Sequence, residues 1–366
     1  MAVTARATQA EDLRPVRGGL GPLDVVQLLL VELVVVVLLV VVNLGFTASA
    51  FGVTVAAALT LRWGRQRGRT RLEWAIVKRQ YRRRRKVRPG HGPAEDWRLS
   101  TLGSLAEGLR VDEVTIADGS GVGVAADGAG WFAVAEVAPQ PDQHGVPCEV
   151  LVRALAGTDS PGTALQVVTH YEHGERAAIW VAVRLDAQSL AEAGAEELDS
   201  VPAAVVVLVR RLVRTLHRDG FSAAPLDRTG LLDAMVRSCA LDRVHDAGQA
   251  PQSGPYEEWQ SWYTGDVAHR AFWVSGWPRI ADAGELLATF GSVEAVLTSV
   301  SIVVVPDGDG ANVRCLARVG ARPRDLDRIC DNLGLSVQHF QATLFQLDGE
   351  QAAGAYASAP TGGGPR

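Results

Sequence analysis

Cysteine is scarce and poorly placed for cross-linking. Cys148, Cys239, Cys315 and Cys330 stand far apart, with no C-x-x-C pair and no histidine at zinc-ligand spacing. They read as reduced, buried thiols, and neither a disulfide framework nor a structural zinc is indicated. Signature motifs of catalysis are missing too: there is no G-x-S-x-G, no Walker sequence and no placed Cys-His pair, so nothing points to an enzyme and no cofactor is implied. Charge is absent from Val25 to Leu61 except at Glu32, which excludes an ordinary amphipathic surface for that stretch. Lysine is nearly absent, with only Lys78 and Lys86.

The uncharged stretch has the dimensions of a membrane anchor. Asp24 to Asn43 reads DVVQLLLVELVVVVLLVVVN, and at 1.5 Å per residue such a helix spans about 30 Å, the thickness of a hydrocarbon core. A second apolar stretch, Phe46 to Leu61, follows a minimal turn, so residues 22–62 are expected to form a two-helix transmembrane hairpin after a short tail, residues 1–21. The run is longer than a signal-peptide core and ends at a strong basic stop, which outweighs the A-x-A pattern at Ala48 to Ala50. Thirteen bases between residues 62 and 88 stand against one acid, Glu73, and Arg14 and Arg17 precede the first helix. The positive-inside rule then puts both termini in the cytoplasm. Within the hairpin, Glu32 reads as a polar contact to a neighbouring helix. Ala48, Gly52 and Ala56 form a small-x-x-x-small stripe that lets helices approach closely.

Residues 63–90 are a basic collar. Thr70-Arg71-Leu72-Glu73 is a capping-box pattern, so a helix is expected from there, with Leu72, Ala75 and Ile76 as its apolar face. Arg82, Arg83, Arg84, Arg85 and Lys86 form a charge run suited to anionic lipid headgroups, to an acidic partner, or to topology alone. What remains, residues 89–366, holds 20 bases against 36 acids, a balance of −16. An acidic domain of that charge is not expected to bind nucleic acid.

Residues 91–350 read as a cytoplasmic α+β domain, a mixed sheet with packed helices. Strands are expected at Arg110–Ala117, Gly130–Ala138, Ala164–Tyr171, Ala178–Leu185 and Ala268–Gly276, and a hairpin at Ala295–Val305 with Asn312–Val319. Helices are expected at Glu149–Ala156, Val201–Arg218, Thr229–Cys239, Asp282–Phe290 and Arg322–Leu333. Gly119, Gly121 and Gly123 read as a glycine-rich connection, since the phosphate-loop ending is missing. Asp307-Gly308-Asp309-Gly310 reads as a hairpin turn, the competing reading being a D-x-D metal site of a sugar-nucleotide enzyme. His170 and His173 read as a surface pair without a third ligand. The aromatic run from Tyr256 to Trp277 reads as core and interface. Residues 351–366, ending SAPTGGGPR, are expected to be flexible.

The hairpin, the collar WGRQRGRTRLEWAIVKRQYRRRRK at Trp63 to Lys86 and three softer patterns together resemble EccE, a membrane component of the actinobacterial type VII (ESX) secretion machinery. Those patterns are QVVTHYE at Gln166 to Glu172, EEWQSWYTGDVAHRAFWVSGWP at Glu257 to Pro278, and LDGEQAAGAYASAPTGG at Leu347 to Gly363. The resemblance implies a non-enzymatic part of an inner-membrane complex with EccB, EccC and EccD components, supporting export driven by the EccC ATPase. Glu32, Ala48, Gly52 and Ala56 would then be intramembrane contacts, and the collar would meet lipid or partner domains.

Overall fold

The computed structural model describes residues 14–15, 71–84, 96–116, 118–138, 145–156, 158, 160, 162–193, 200–243, 254–274, 283–307 and 310–363. The expected hairpin, with Glu32, Ala48, Gly52 and Ala56, lies outside them, as do Arg85, Lys86 and Asp309. Among the described residues no helix is long and apolar enough to cross a membrane. The chain divides into two units, one of residues 17–88 with 366 and the other of residues 1–16 with 89–365.

In the first unit the helix α1, Arg71–Arg84, begins at the capping pattern. It carries Glu73 in its first turn and Arg82, Arg83 and Arg84 in its last, the order that the helix dipole favours. Its buried positions are Val77 and Tyr81, one turn apart, whereas Ala75, expected on the apolar face, is exposed.

Among the described residues the second unit is built on one 13-stranded sheet. Its strands are β1 (Arg14–Pro15), β2 (Arg110–Thr115), β3 (Gly121–Asp127), β4 (Gly130–Val137), β5 (Thr163–Glu172), β6 (Glu175–Asp186), β7 (Ala223–Pro225), β8 (Tyr256–Glu257), β9 (Trp262–Thr264), β10 (Val267–Val274), β11 (Leu297–Asp307), β12 (Gly310–Ala321) and β13 (Leu344–Gln346). The helices are α2 (Trp97–Leu102), α3 (Cys148–Ala156), α4 (Ala187–Glu192), α5 (Val201–Arg218), α6 (Arg228–Ser238), α7 (Ala283–Gly291), α8 (Pro323–Gln338) and α9 (Gln351–Ser358). Along the main path the order is β2-β3-β4-β6-β5-β11-β12-β10-β9-β8, and every pairing is antiparallel except β1 with β12. The α+β reading therefore holds, with a sheet almost wholly antiparallel.

Alternation along the strands sends residues to two different layers. On one face Val181, Val183, Ile302, Cys315 and Val319 meet α3, α5, α7 and α8 in a largely apolar core that also takes in the buried Thr163 and Thr298. On the other face Phe132, Trp180 and Ala182 meet α2, α6 and α9, but the middle of that face is polar.

The second half of the sheet repeats the first. The pairings β2·β3, β3·β4, β4·β6, β5·β6 and β4·β7 recur as β8·β9, β9·β10, β10·β12, β11·β12 and β10·β13. Helices α3, α5 and α6 fall in the same places between strands as α7, α8 and α9. The correspondence extends to single bonds. Gly220 and Gln341 both take a left-handed φ, of 88° and 57°, one residue before the equivalent bonds Phe221 N–H to Leu216 O (2.9 Å) and Ala342 N–H to Val337 O (3.3 Å). Leu226 N–H to Val134 O (2.9 Å) and Leu347 N–H to Ala271 O (3.0 Å) match in the same way. The halves meet at the antiparallel pair β5·β11, where the equivalent residues Val168 and Ser301 lie directly opposite, as a two-fold axis through the sheet requires. Burial is kept between halves while identity is not: Val205, Val209, Leu212 and Leu216 answer to Leu326, Cys330, Leu333 and Val337.

Two expectations are corrected. The glycine-rich connection is mostly strand β3, and Gly123 is small because a Cβ there would stand 2.6 Å from the Asp227 carbonyl oxygen at the start of α6. The carboxy-terminal segment, expected to be flexible from its small and polar composition, folds as α9 and a packed tail. Tyr356, Ser358, Ala359 and Thr361 are wholly buried.

Candidate functional site

The polar middle of the second face comes from alternate positions of adjacent strands: Asp127 on β3, Gln166 and His170 on β5, Arg184 on β6, His269 on β10, Ser299 and Ser301 on β11, and Arg318 on β12, all buried. Buried polar groups cost stability unless paired. Here Asp127, Gln166, Arg184 and Arg318 pair with α6, α9 or the tail, and the other four pair within the sheet.

Gln166 shows the logic. Its amide nitrogen donates to Ser301 Oγ at 2.6 Å and to the Ala357 carbonyl at 2.9 Å. Its amide oxygen accepts from Thr361 N–H at 3.0 Å and Gly362 N–H at 2.7 Å. One end of the side chain is thus spent on β11 and α9 and the other on the tail. Arg184 donates through both terminal nitrogens to the Asp127 carboxylate and from Nη1 to the Thr361 carbonyl at 3.0 Å. Tyr356 adds a 2.7 Å bond from its hydroxyl to Asp127 Oδ2, and burial beside that carboxylate pushes the phenol well above its ordinary range. Gly362 passes over Arg184 with φ 73° and no room for a Cβ, which would lie 2.3 Å from the arginine's own Cβ.

Arg318 is fully buried and touches no carboxylate. Nε donates to Ser358 Oγ at 2.8 Å, Nη1 to His269 Nδ1 at 3.1 Å, and Nη2 to the Ser238 carbonyl and to Ser299 Oγ at 3.2 Å. Ser238 and Ser358 are the last residues of α6 and α9, so the cation sits where two helix carboxyl ends place negative potential. Because an arginine only donates, His269 Nδ1 must accept. Its Nε2 therefore carries the proton and donates to Thr264 Oγ1 at 2.6 Å.

Burial, then the Arg318 charge, holds the His269 pKa well below the ordinary histidine range. Burial also lowers His170, whose Nδ1 lies 2.8 Å from Ser299 Oγ and whose Nε2 faces Glu172 at 3.5 Å. Glu172, facing His170 and bonded at 2.8 Å by Arg237, is pulled down to about 2. The linkage follows from the histidines: neutral when folded, they take up protons only on unfolding, so stability falls as the pH drops below about 6.5. Moving from pH 7.5 to 5.5 is expected to cost on the order of 2 kcal/mol, read as a lower urea midpoint with unchanged slope. An unchanged midpoint would contradict neutral histidines. The carboxylate adds a second loss as the pH falls from about 4.5 towards 2.

The residues singled out from the sequence are not gathered into one site. His170 lies inside the sheet, not on the surface as expected, while His173 is exposed in the β5–β6 turn with φ 53°. Asp307 pairs with Gly310, where β11 meets β12 in antiparallel register. Among the described residues no group of three potential ligands could hold a metal ion. Arg82, Arg83 and Arg84 are exposed on the last turn of α1. Every cysteine is buried, with burial pushing Cys148 and Cys330 up to about 12 and Cys239 and Cys315 upward. All four thiols are therefore expected to resist alkylation at pH 8 until denaturant unfolds the chain; rapid labelling of native protein would contradict this packing.

Sequence reasoning missed Arg184 and Arg318 because a charged residue inside a strand run reads as solvent-facing. The usable signal was alternation: Gln166, Val168 and His170 share a face of QVVTHYE. In the aromatic run, Trp262 is buried against His269 with ring centroids 4.9 Å apart, and Tyr256 stacks on Tyr263 at 4.7 Å. Trp262, Tyr256 and Tyr263 thus serve packing, while Trp277 lies outside the described residues. Gly349, Glu350 and Gln351 turn the chain into α9, with Gln351 Oε1 accepting from Ala271 N–H at 2.7 Å.

These contacts define a class: a two-fold repeated α+β domain whose buried polar groups close the fold over its own carboxy-terminal segment. The family model described as the type VII ESX secretion system translocon, EccE, matches residues 174–274, from the β5–β6 turn to the end of β10. The match bears out the resemblance to EccE read from the sequence, and over these residues the chain is similar to that family. No curated protein matches the chain.

Proposed function

We propose that this chain is a non-catalytic structural component of an inner-membrane type VII secretion complex, with EccB-, EccC- and EccD-type proteins as partners and an ATPase partner driving export. The match to EccE over residues 174–274 carries the reading. Two features support it. Gln166, Arg184 and Arg318, buried polar groups of the kind that could serve chemistry, are bonded to α9 and the tail, and Arg82 to Arg84 are exposed.

In this reading residues 22–62 anchor the chain, with both termini cytoplasmic. Ala48, Gly52, Ala56 and Glu32 make the intramembrane contact, and Arg82 to Lys86 meet anionic headgroups or a partner domain. The test is complex recovery after mild-detergent extraction of native membranes. Gly52→Leu, which blocks close helix approach, is expected to lower recovery of the complex several-fold while leaving the amount of chain in the membrane unchanged. Full recovery with Gly52→Leu would remove the proposed helix contact.

A further inference from the structure

A basic groove of about 650 Å³ lies between α3 and α5, lined by Arg153, Arg211, Arg214 and Arg218 with Val207 and Asp219. Arg153 is engaged with Asp219 at 2.8 Å, and neighbouring Arg210 reaches Asp118 at 3.6 Å. Arg211, Arg214 and Arg218 are exposed and make no ion pair among the described residues. Val207, Arg211, Arg214 and Arg218 follow one another at spacings of four, three and four, so they form one stripe along α5, with Val207 61% exposed at its head.

The repeat supplies an internal control. Helix α8 holds the same place as α5, yet Asn332, Leu335 and His339 stand where α5 has Arg211, Arg214 and Arg218. Arg328 stands at the Val207 position, and α7, the counterpart of α3, carries no base. The fold does not need three arginines there. In a domain of net charge −16 a free guanidinium stripe is also unexpected from composition.

We propose that this groove docks an acidic amphipathic helix of a partner protein, carboxylates on the arginine stripe and an apolar side chain on Val207. Arginine forks suit carboxylates bidentately, and a stripe with helical spacing along a groove fits another helix lying beside α5. A long polyanion fits less well, because the acidic remainder of the domain repels it. The proposal goes beyond the secretion reading and stands or falls separately from it.

The test uses the full-length chain in detergent. A labelled helical peptide with glutamates and one leucine spaced to face the stripe is titrated by fluorescence anisotropy against a scrambled peptide of identical composition. The designed helix is expected to bind at least about tenfold tighter than the scrambled one. That advantage should vanish in Arg211→Glu/Arg214→Glu/Arg218→Glu and return when the peptide carries lysine in place of glutamate. All three sites are exposed, so circular dichroism of the variant should match the parent; Arg211→Ala/Arg214→Ala serves if it does not. Equal binding of the two peptides would overturn the proposal. So would arginine-dependent binding to single-stranded DNA or anionic vesicles that exceeds binding to the helix.

Discussion

A chain ending at Gly349 is expected not to fold cooperatively, although it lacks only residues that composition would class as a tail. The deletion removes the buried Tyr356, Ala355, Ala359 and Thr361 from the second face. It also strips Gln166, Arg184 and Arg318 of the Thr361, Ala357 and Ser358 partners described above. Losing one buried aromatic side chain costs about 3–5 kcal/mol, and orphaned buried polar groups cost about 1–3 kcal/mol each. Against a total of about 5–15 kcal/mol for an ordinary domain, the sum leaves no stable fold. The check is a denaturant titration of the truncated chain, with full-length protein alongside. A truncated chain with an unchanged midpoint would mean that the tail merely lies on the sheet.

The second large effect is expected from Arg318→Met. Removing the guanidinium leaves the Ser238 carbonyl, Ser358 Oγ and His269 Nδ1 without their donor, inside a site closed to water. Methionine fills most of the volume, so the loss is chiefly polar and is expected to reach about 3 kcal/mol or more. It carries a signature that simple cavity formation lacks. After burial, the Arg318 charge is the second cause of the low His269 pKa, so in the variant the folded-state pKa of His269 should rise, read by NMR titration of its ring protons. A variant with full stability, or with no rise in that pKa, would show that Arg318 is not the cation holding these two helix ends.

Much of the domain was legible. The hairpin Leu297–Asp307 with Gly310–Ala321 and the helices at Val201 and Pro323 announced themselves by β-branched runs, a D-G turn and 3.6-residue spacing. What failed did so for physical reasons. In the segment Gly121–Asp127, Gly123 lies against the start of α6 and Gly121 against the Glu113 side chain, and glycine in a strand reads as a turn. The helix at Gln351–Ser358 was missed because the residues around it are small: Gly354 lies so close to Ala271 that a Cβ would come within 2.6 Å of it. Smallness there reflects close packing, whereas composition reads it as disorder. The repeat was hidden because it preserves pairing and burial while exchanging nearly every side chain.

The polar network was half legible. Gln166 and His170 lie in the segment QVVTHYE, where alternation places them on one face. Their partners, Ser301, Ser299, Ala357 and Thr361, come from a strand, a helix and the tail far along the chain, where only the folded sheet brings them together.

The account rests most on the claim that this chain is a structural member of a type VII secretion complex. A mild-detergent pulldown of the tagged full-length chain from its own membranes, followed by mass spectrometry, tests it directly. The account predicts co-elution of an FtsK-like ATPase and a many-spanning membrane protein in constant proportion to the chain. Recovery of the chain alone, stable and monodisperse, would contradict it.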